Sequence, residues 1–501
     1  MQFAAFEAGK PQTSEPIRQQ EGNIVVGHTS TGNEPSSIYD DDGAAGRGVV
    51  RIASVAALGG FLFGYDSAVI NGAVSAVSEV FDADAASLGF AVASALLGAA
   101  AGALAAGRIA DHVGRLAVMK IAAVLFLLSA IGTGLAPSLW VLVVFRIVGG
   151  LGVGMASVIA PAYIAEIAPA RIRGRLASLQ QLAIVSGIFV SLLVDFLLAR
   201  AAGGSTEDLW FGLGAWRWMF LAMSVPAIIY GILSYTIPES PRYLISKHKV
   251  SAATAILTKL LGATNIDLKI QRIRETMERE TEPSWQDLKG PSGKIARIVW
   301  VGLLLSMFQQ FVGINVIFYY SNVLWQAVGF DESSAFVITV ISSVINIGTT
   351  LIAIATIDKF GRKPLLVIGS AGMTVTLATM AVIFGTARVV DGNPVLEGAQ
   401  GPIALIAANL FVVAFGMSWG PVTWVLLGEM FPNRMRAAAL SLAAGGQWVA
   451  NWIITVTFPG LKDVSLALAY GLYAMFALIS LFFVFKFIEE TKGKQLEDMH
   501  S

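Results

Sequence analysis

A long apolar run that ends in a charged turn decides the fold: ALLGAAAGALAAGRIADHVGR at 95–115, with a second version of its ending, LIAIATIDKFGRK, at 351–363. An α-helix needs roughly 20 apolar residues to cross a bilayer core of about 30 Å. Both runs close on Asp-x-x-Gly-Arg, as Asp111 to Arg115 and as Asp358 to Arg362. The glycine permits a tight turn, and the arginine beyond it favours the cytoplasmic side of a membrane. The repeated ending therefore predicts a polytopic membrane protein built from two related parts.

The same length criterion, applied along the whole chain, gives twelve apolar stretches long enough to span a membrane. They lie near 49–71, 87–110, 117–135, 138–163, 177–199, 213–237, 296–327, 334–357, 364–387, 401–428, 437–458 and 465–488. Composition agrees, because hydrophobic residues make up 55% of the chain and charged residues only 14%, against roughly 25% charged in soluble domains. The net charge of zero gives no bulk attraction to nucleic acid, and the lack of cysteine excludes disulfides and thiolate metal sites.

One long hydrophilic insertion divides the spans into six and six, and a second motif also repeats. Glu166-x-x-Pro-x3-Arg173 recurs as Glu429-x-x-Pro-x3-Arg436 at the matching place in the second half. Duplication of a six-helix unit explains both repeats. The predicted parts are a disordered cytoplasmic tail at 1–47, a six-helix half at 48–238, a cytoplasmic helical linker at 239–295, a six-helix half at 296–488 and a cytoplasmic tail at 489–501.

Lysine and arginine concentrate in alternate loops, which predicts that those loops and both termini face the cytoplasm of a plasma (inner) membrane. The charged motifs at these loops form a predicted cytoplasmic latch, a network that holds helix ends together and opens when the bundle rocks. A topology signal combined with a simple turn would explain a single copy equally well. The predicted latch residues are Asp111, Arg115, Glu166, Arg173, Glu239, Arg242, Asp358, Arg362, Glu429, Arg436 and Glu490.

Two ionisable residues stand out inside the predicted spans: Asp66 in the first and Arg146 in the fourth. A charge at mid-bilayer costs roughly 2.5–3.5 kcal/mol on insertion scales, so such residues are usually functional. We predict that they pair in the bundle interior and that a motion which separates them changes the proton affinity of Asp66. A static buried ion pair fits the same two residues.

Carboxamides and tryptophans cluster in the second half and predict a sugar site. A carboxamide both donates and accepts hydrogen bonds, which suits a polyol, and an indole plane can cover the C–H face of a sugar ring. Interhelical hydrogen bonds and interfacial tryptophans are the alternative interpretation. The predicted substrate-binding residues are Gln181, Gln309, Gln310, Asn315, Asn346, Gly420, Trp424, Gln447, Trp448 and Asn451.

Seven motifs resemble the sugar porter family of the major facilitator superfamily over essentially the whole chain after residue 47. They are GRIADHVGR, RIVGGLGVG, YIAEIAPARIRGR, PESPRYL, QQFVGINVIFYYS, DKFGRKP and SWGPVTWVLLGEMFPNRMR. GYDSAVING and GQWVAN make the chain most similar to bacterial glucose and xylose proton symporters, particularly glucose permeases of the actinobacterial type. Leu116 departs from the family pattern, because a second basic residue usually stands there.

The resemblance implies an all-α membrane protein with the major facilitator fold, twelve transmembrane helices in two six-helix halves around a central site. It also implies that Phe63, Tyr319 and Tyr320 line the sugar cavity, and that Asp66 and Arg146 are the proton-coupling pair. The expected function is proton-coupled import of a monosaccharide by alternating access, with glucose leading and xylose, galactose or fructose as further candidates. We expect a monomer, with no cofactor, no metal and no catalytic activity.

Other functions remain open at this point. An uncoupled facilitative uniporter would share nearly all of these residues, and so would an inositol or pentose transporter. A sugar-sensing membrane receptor is the candidate from a different class. Receptors of that kind in this family carry long cytoplasmic extensions, whereas the tails of this chain are short.

Overall fold

The computed structural model describes residues 45–168, 173–261, 266–279, 285–289, 293–390, 393–432 and 435–492. The predicted N-terminal tail lies almost wholly outside this part of the chain, as does most of the C-terminal tail. The side chains of Arg173 and Asp358 are also outside it.

Twelve helical segments of membrane-spanning length make up the described bundle, and each coincides with one predicted span. Several are formed by two consecutive helices. The segments are α1 (Ala45–Ala68) with α2 (Ile70–Val80), α3 (Ala85–Val113), α4 (Arg115–Gly134), α5 (Leu139–Ile167), α6 (Arg173–Ala202), α7 (Ala215–Ala222) with α8 (Ser224–Leu233), α12 (Arg297–Phe311) with α13 (Ile314–Ala327), α14 (Glu332–Phe360), α15 (Arg362–Thr386), α16 (Gln400–Gly416) with α17 (Trp419–Met430), α18 (Arg436–Val464) and α19 (Leu466–Phe487).

Among the described residues, eleven of these segments are long and apolar enough to cross a membrane. The twelfth, α18, has the length but carries Gln447, Asn451, Lys462 and Asp463, which make it more polar. The first span was predicted to end at residue 71, yet α2 carries it on to Val80.

The segment predicted as a linker contains three short helices, α9 (Pro241–Ser246), α10 (Val250–Leu261) and α11 (Ile266–Arg279), and a 3-10 helix (Trp285–Leu288). Leu244, Leu257 and Ile270 belong to a small hydrophobic core of their own, separate from that of the bundle. Amphipathic spacing of their apolar residues explains why these helices pack on one another.

Two short antiparallel hairpins are the only strands among the described residues, and the all-α prediction did not include them. They are β1 (Asp208–Trp210) with β2 (Leu213–Gly214), and β3 (Arg388–Val390) with β4 (Asn393–Val395). Each connects an odd span to an even one, so both lie at the same end of the bundle, here called the hairpin face. The opposite end carries the Asp-x-x-Gly-Arg turns and is called the latch face.

Glycines let neighbouring helices come into backbone contact. A Cβ atom built on Gly150 of α5 would lie 2.0 Å from the carbonyl oxygen of Ala95 on α3. On α1, a Cβ at Gly64 would lie 2.0 Å from the carbonyl oxygen of Ile184 on α6. Small residues at such crossings allow the close packing that stabilises helix pairs in a bilayer.

Four spans consist of two consecutive helices, and three of these junctions bear on the functional site. The first span is interrupted at Val69, between α1 and α2. The seventh breaks at Gly313, whose φ of 81° is left-handed, and the tenth breaks at Ser418 with a non-helical backbone. Backbone groups released at such breaks need partners inside the bundle, which is why broken helices line binding sites.

Candidate transport site

Asp66 and Arg146 lie together in the interior of the first half, as predicted. A guanidinium nitrogen (Nη1) of Arg146 lies 3.4 Å from Oδ2 of Asp66 and donates a hydrogen bond of 2.9 Å to the backbone carbonyl of the same residue. The side chains are 2% and 1% exposed. The ion pair is therefore fully enclosed, and most of its directional hydrogen bonding runs to the backbone rather than to the carboxylate.

A connected chain of carboxamides occupies the second half. Gln447 donates to Oε1 of Gln309 at 2.8 Å, and Gln310 donates to the same oxygen at 3.4 Å. Asn315 in turn donates to Oε1 of Gln310 at 2.6 Å. We call Gln309, Gln310, Asn315 and Gln447 the amide chain. Four predicted residues from three helices are thus brought together.

The amide chain is anchored at the break in the tenth span. Nε2 of Gln309 donates to the backbone carbonyls of Trp419 and Gly420, at 2.8 and 3.2 Å. Gln309 is almost fully buried, so its amide serves the protein itself. The buried Oε1 of Gln447 has no partner among the described residues, and it can accept a hydrogen bond from a ligand hydroxyl.

Tyr319 lies between the amide-rich half and the ion pair. Its hydroxyl lies beside the side chains of Asn451 and Ser67 and within electrostatic range of Asp66 and Arg146. Thr455 donates to Oδ1 of Asn451 at 3.2 Å. Tyr319 is therefore positioned to sense both the second-half polar groups and the charge state of the first half.

Two aromatic residues from different halves face each other. The rings of Phe63 on α1 and Trp448 on α18 have centroids 6.1 Å apart. Both side chains are partly exposed, so they form an apolar surface beside the polar groups.

The other predicted substrate residues are less closely tied to the amide chain. Gln181 is partly exposed on α6. Asn346 is mostly buried on α14, where its Oδ1 lies close to Gly416. Trp424 is 43% exposed on α17.

Tyr320 points away from the amide chain, because consecutive residues of a helix face different directions. Its hydroxyl donates to the carbonyl of Thr455 at 2.9 Å, and its ring packs on Phe458. It also lines a cavity of about 580 Å³ at the hairpin face. The contacts of Tyr320 thus lie at the hairpin face and not in the amide chain.

The first-half latch converges on Arg115 at the start of α4. Its guanidinium contacts Glu166 at 3.0 Å and Asp111 at 3.1 Å. The carboxylate of Glu239 accepts from the backbone N–H groups of Arg115 and Leu116 at 3.1 and 3.2 Å. Because a helix N-terminus favours a negative charge, Glu239 caps α4.

The second half repeats this arrangement. Arg362 contacts Glu429 at 2.7 Å. Glu490 accepts from the backbone N–H groups of Arg362 and Lys363 at 3.0 and 2.9 Å, so it caps α15. Burial would raise the pKa of Glu490, but backbone N–H donors, including that of Lys492, outweigh it and lower the pKa below its usual value.

Arg436 and Arg242, the other two predicted latch residues with described side chains, lie apart from these two arginine–glutamate pairs in the contacts that the structure shows. Nε of Arg436 donates to the carbonyl of Phe431 at 3.1 Å, which closes the turn before α18. Arg242 stands near this end of the bundle at the start of α9 and is not without an interaction partner.

At the hairpin face the two halves are bonded together. Asn71 of α2 donates to the carbonyl of Phe318 at 2.9 Å and accepts from the backbone N–H of Asn322 at 3.2 Å. We call this pair of bonds the Asn71 clasp. Glu332 of α14 also accepts from the backbone N–H of Ser205 at 3.2 Å. These bonds close the bundle at the hairpin face.

Among the buried polar residues of the first half that sequence reasoning missed are Asn71, Gln180 and Asp195. Asn71 stands next to a predicted span end, where polar residues are common. Gln180 adjoins the predicted Gln181 and packs against Gly60. Asp195 lies inside the predicted span 177–199, so the criterion that selected Asp66 would also have found it.

Comparison with known proteins agrees with this architecture. The family model "Sugar (and other) transporter" matches residues 52–501. A glucose transport protein of Synechocystis is 56% identical over 467 residues, which cover 93% of this chain and all of the relative. The D-xylose-proton symporter of Escherichia coli K12 is 39% identical, over 90% of this chain and 95% of the relative.

A solved structure gives the same picture. The xylose transporter XylE from E. coli, in a partially occluded inward-open conformation, superimposes with a TM-score of 0.76 at 37% identity, over 89% of this chain and 99% of the other. The fold is therefore that of the major facilitator transporters, and the chain is a transporter rather than an enzyme. It belongs to the sugar transporter family of the major facilitator superfamily.

Proposed function

We propose that this protein imports a monosaccharide, with D-glucose as the leading substrate, together with a proton by alternating access. The observation that carries the proposal is the amide chain set beside the buried Asp66–Arg146 pair, with Tyr319 between them. The Synechocystis relative named as a glucose transport protein supports the choice of sugar. The relative named as a D-xylose-proton symporter supports the coupling ion.

Sugar recognition rests on the amide chain. Gln309 and Gln310 use both ends of their amides within the protein, whereas Asn315 and Gln447 each use one, so the amide chain fixes which atoms remain for the ligand. The free Oε1 of Gln447 accepts a sugar hydroxyl, while Phe63 and Trp448 cover an apolar ring face. Asn451, Asn346, Gln181 and Trp424 complete the proposed site. Xylose, galactose and fructose carry the same kinds of groups and are the further candidate substrates.

Proton coupling rests on Asp66. While Arg146 stays at 3.4 Å, the carboxylate is stabilised in its charged form. When the bundle rocks and the distance grows, the buried carboxylate loses that stabilisation and takes up a proton. A sugar that contacts Tyr319 changes the balance between these states.

The latch contacts hold the helix ends of each half together at the latch face, so that each half can rotate as a rigid body. Each half has an arginine–glutamate pair and a glutamate cap, so its helix ends move as one body. We place the latch face and both termini in the cytoplasm and the hairpin face outside, in the plasma (inner) membrane. The working unit is proposed to be a monomer.

The direct test is the external pH of weakly buffered, energy-depleted cells that express the protein, followed after a pulse of glucose. Proton symport predicts alkalinisation, and Asp66→Asn should abolish it. The same variant should lose uphill accumulation while it still exchanges labelled sugar across the membrane. Intact accumulation in Asp66→Asn would remove Asp66 from the coupling step.

The other outcomes separate the alternatives. Normal glucose entry without any pH change identifies an uncoupled facilitator. If glucose does not enter, the same assay with pentoses and inositol distinguishes a transporter for another substrate from a receptor that binds without transport.

A further inference from the structure

A second carboxylic acid, Asp195, is buried in the membrane-spanning part of the first half. Its side chain is 0% exposed, and among the described residues its carboxylate oxygens have no side-chain hydrogen-bond partner, while the backbone N–H of Gly72 lies beside them. Asp66 has Arg146 beside it, whereas no ion pair is recorded for Asp195 within the described chain. A buried acid without a counter-ion is stable only when it is neutral, because burial strongly disfavours the charged form.

The position of Asp195 ties it to the Asn71 clasp. A Cβ atom built on Gly72 would lie 2.7 Å from Cβ and 2.9 Å from Oδ2 of Asp195, so the carboxyl group rests against the backbone of α2. Gly72 directly follows Asn71, which bonds to Phe318 and to the backbone of Asn322 in the other half. The acid on α6 therefore contacts the residue of α2 that adjoins the clasp residue.

Asp195 belongs to a buried polar group between α6 and the first span. Ser191 stands four residues earlier, on the same face of α6, and its hydroxyl has no partner among the described residues. The hydroxyl of Tyr65 on α1 is likewise buried and without a partner there, and it lies within electrostatic range of Asp195. Tyr65 is thus the titratable group that faces Asp195 from the packed first span, and it is neutral at ordinary pH.

We propose that Asp195 is a second proton-binding site, distinct from Asp66, which carries its proton while the hairpin face is closed and loses it when that face opens. In the closed state Gly72 covers the acid and the clasp is formed. When the halves separate at this face, Asn71 leaves α13 and water reaches Asp195. A carboxyl group in contact with water at neutral pH is ionised, so an alkaline exterior favours the open hairpin face and an acidic exterior the closed one.

The site goes beyond the proposed transport function, because it controls the opening of the hairpin face, here called the gate, and does not bind the sugar. By linkage, a gate that releases one proton on opening changes its open-to-closed ratio by up to about tenfold per pH unit. The effect is expected in the absence of sugar and in a chain that has lost coupling through Asp66.

The natural chain has no cysteine, so a single introduced thiol can report on the gate without further engineering. Val74 is suited to this, since it is 0% exposed and stands one helical turn after Asn71 at the edge of the cavity shared with Tyr320. Val74→Cys should react with a membrane-impermeant maleimide in intact cells only when the hairpin face opens. Phe211→Cys, at a position 92% exposed in the β1–β2 turn, corrects for the pH dependence of the thiol reaction itself.

The normalised labelling rate of Val74→Cys is expected to rise with external pH, by up to about tenfold per unit within the titration range. In the Asp66→Asn background, which removes the proton linked to coupling, the rise should remain, and adding Asp195→Asn, a neutral mimic of the protonated acid, should remove it. A rise that persists when Asp195→Asn is added, or the absence of any rise in Val74→Cys with Asp66→Asn, would overturn the proposal. Unlabelled Phe211→Cys would also overturn the proposal, because the hairpin face would then not be exposed to the exterior.

A spectroscopic measurement covers the case in which Asp195→Asn does not reach the membrane. Purified Asp66→Asn protein at pH 7, in the conformation closed at the hairpin face, should still show the infrared carbonyl stretch of a neutral carboxylic acid. The presence of that band supports a protonated Asp195, and its absence excludes one.

Discussion

Replacing Gln309 with leucine is expected to weaken sugar binding although Gln309 itself is almost fully enclosed by protein. Its amide holds the carbonyls of Trp419 and Gly420 at 2.8 and 3.2 Å and receives Gln447 at 2.8 Å. Leucine keeps much of the side-chain volume but removes these three bonds and the bond of 3.4 Å that Gln310 donates to the same oxygen. Gln447 then loses the partner that orients it toward the ligand.

The expected magnitude follows from the number of bonds. A neutral hydrogen bond contributes about 0.5–1.5 kcal/mol net, and a buried carbonyl left without a partner costs about 1–3 kcal/mol. The second cost falls on folding, so the melting temperature of the variant should drop. The loss of a fixed orientation of Gln447 weakens the free energy of sugar binding, and a loss of about 1.4 kcal/mol corresponds to a tenfold weaker affinity.

A double-mutant cycle distinguishes orientation from direct contact. Gln447→Leu alone should also weaken affinity about tenfold, which is about 1.4 kcal/mol, and the double variant should be little worse than either single one, because the two residues act as one unit. Affinity is measured from the sugar-induced change in tryptophan fluorescence of the purified protein. Gln180→Leu, a buried glutamine outside the amide chain, serves as the control. A double variant weakened by the full product, about 100-fold, would refute the orienting role.

Three further perturbations test the latch and the site. Gly361→Ala should destabilise the protein by about 1–3 kcal/mol in thermal denaturation. The reason is that Gly361 has φ +90° and an added Cβ would lie 2.7 Å from Oε2 of Glu490. Gly348→Ala, where an added Cβ enters open space, is the control. Because the pKa of Glu490 is lowered from 4.5, its cap contributes stability above that pH and loses it as the pH falls through the lowered value; Glu490→Gln should flatten that acid-side fall in melting temperature. Gln310→Ala should weaken sugar affinity about tenfold, and unchanged affinity would remove Gln310 from the site.

The fold was largely predictable because membrane-spanning helices leave a strong signal in sequence. A run of apolar residues must be helical in lipid, since its backbone has no other partners there. The twelve predicted spans therefore correspond to twelve helical segments. The α1–α2 continuation to Val80 and the two hairpins were not predicted, because polar residues at a membrane surface fit turns, strands and helix ends alike.

The site was only partly predictable, because sequence gives the type of a side chain but not its direction. Gln309 and Gln310 were predicted as equals, yet Gln309 faces the backbone at the tenth-span break while Gln310 joins Asn315. Tyr319 and Tyr320 were also predicted together, and the helical rotation between them sends Tyr320 toward Thr455. Charge alone would have identified Asp195, whereas the lack of a side-chain partner for its carboxylate required coordinates.

The halves carry the same repeated charged motifs but hold different chemistry, and α13 is where these differences meet. Asn315 of this helix joins the amide chain, and Tyr319 lies beside the Asp66–Arg146 pair. The backbone groups of Phe318 and Asn322, on the same helix, form the Asn71 clasp.

A helix of 14 residues cannot move one of these contacts without disturbing the others, since its internal hydrogen bonds keep it rigid. Gly313, in a left-handed conformation that glycine adopts at little cost, supplies a flexible point at its start. Sugar bound to the amide chain, charge on Asp66 and closure of the hairpin face therefore bias the position of a single element. A ligand can shift such an element only by the difference in its affinity for the two positions. Tight sugar binding by the amide chain is therefore not needed to couple the sites. What is needed is a higher affinity for the sugar when the clasp is closed than when it is open.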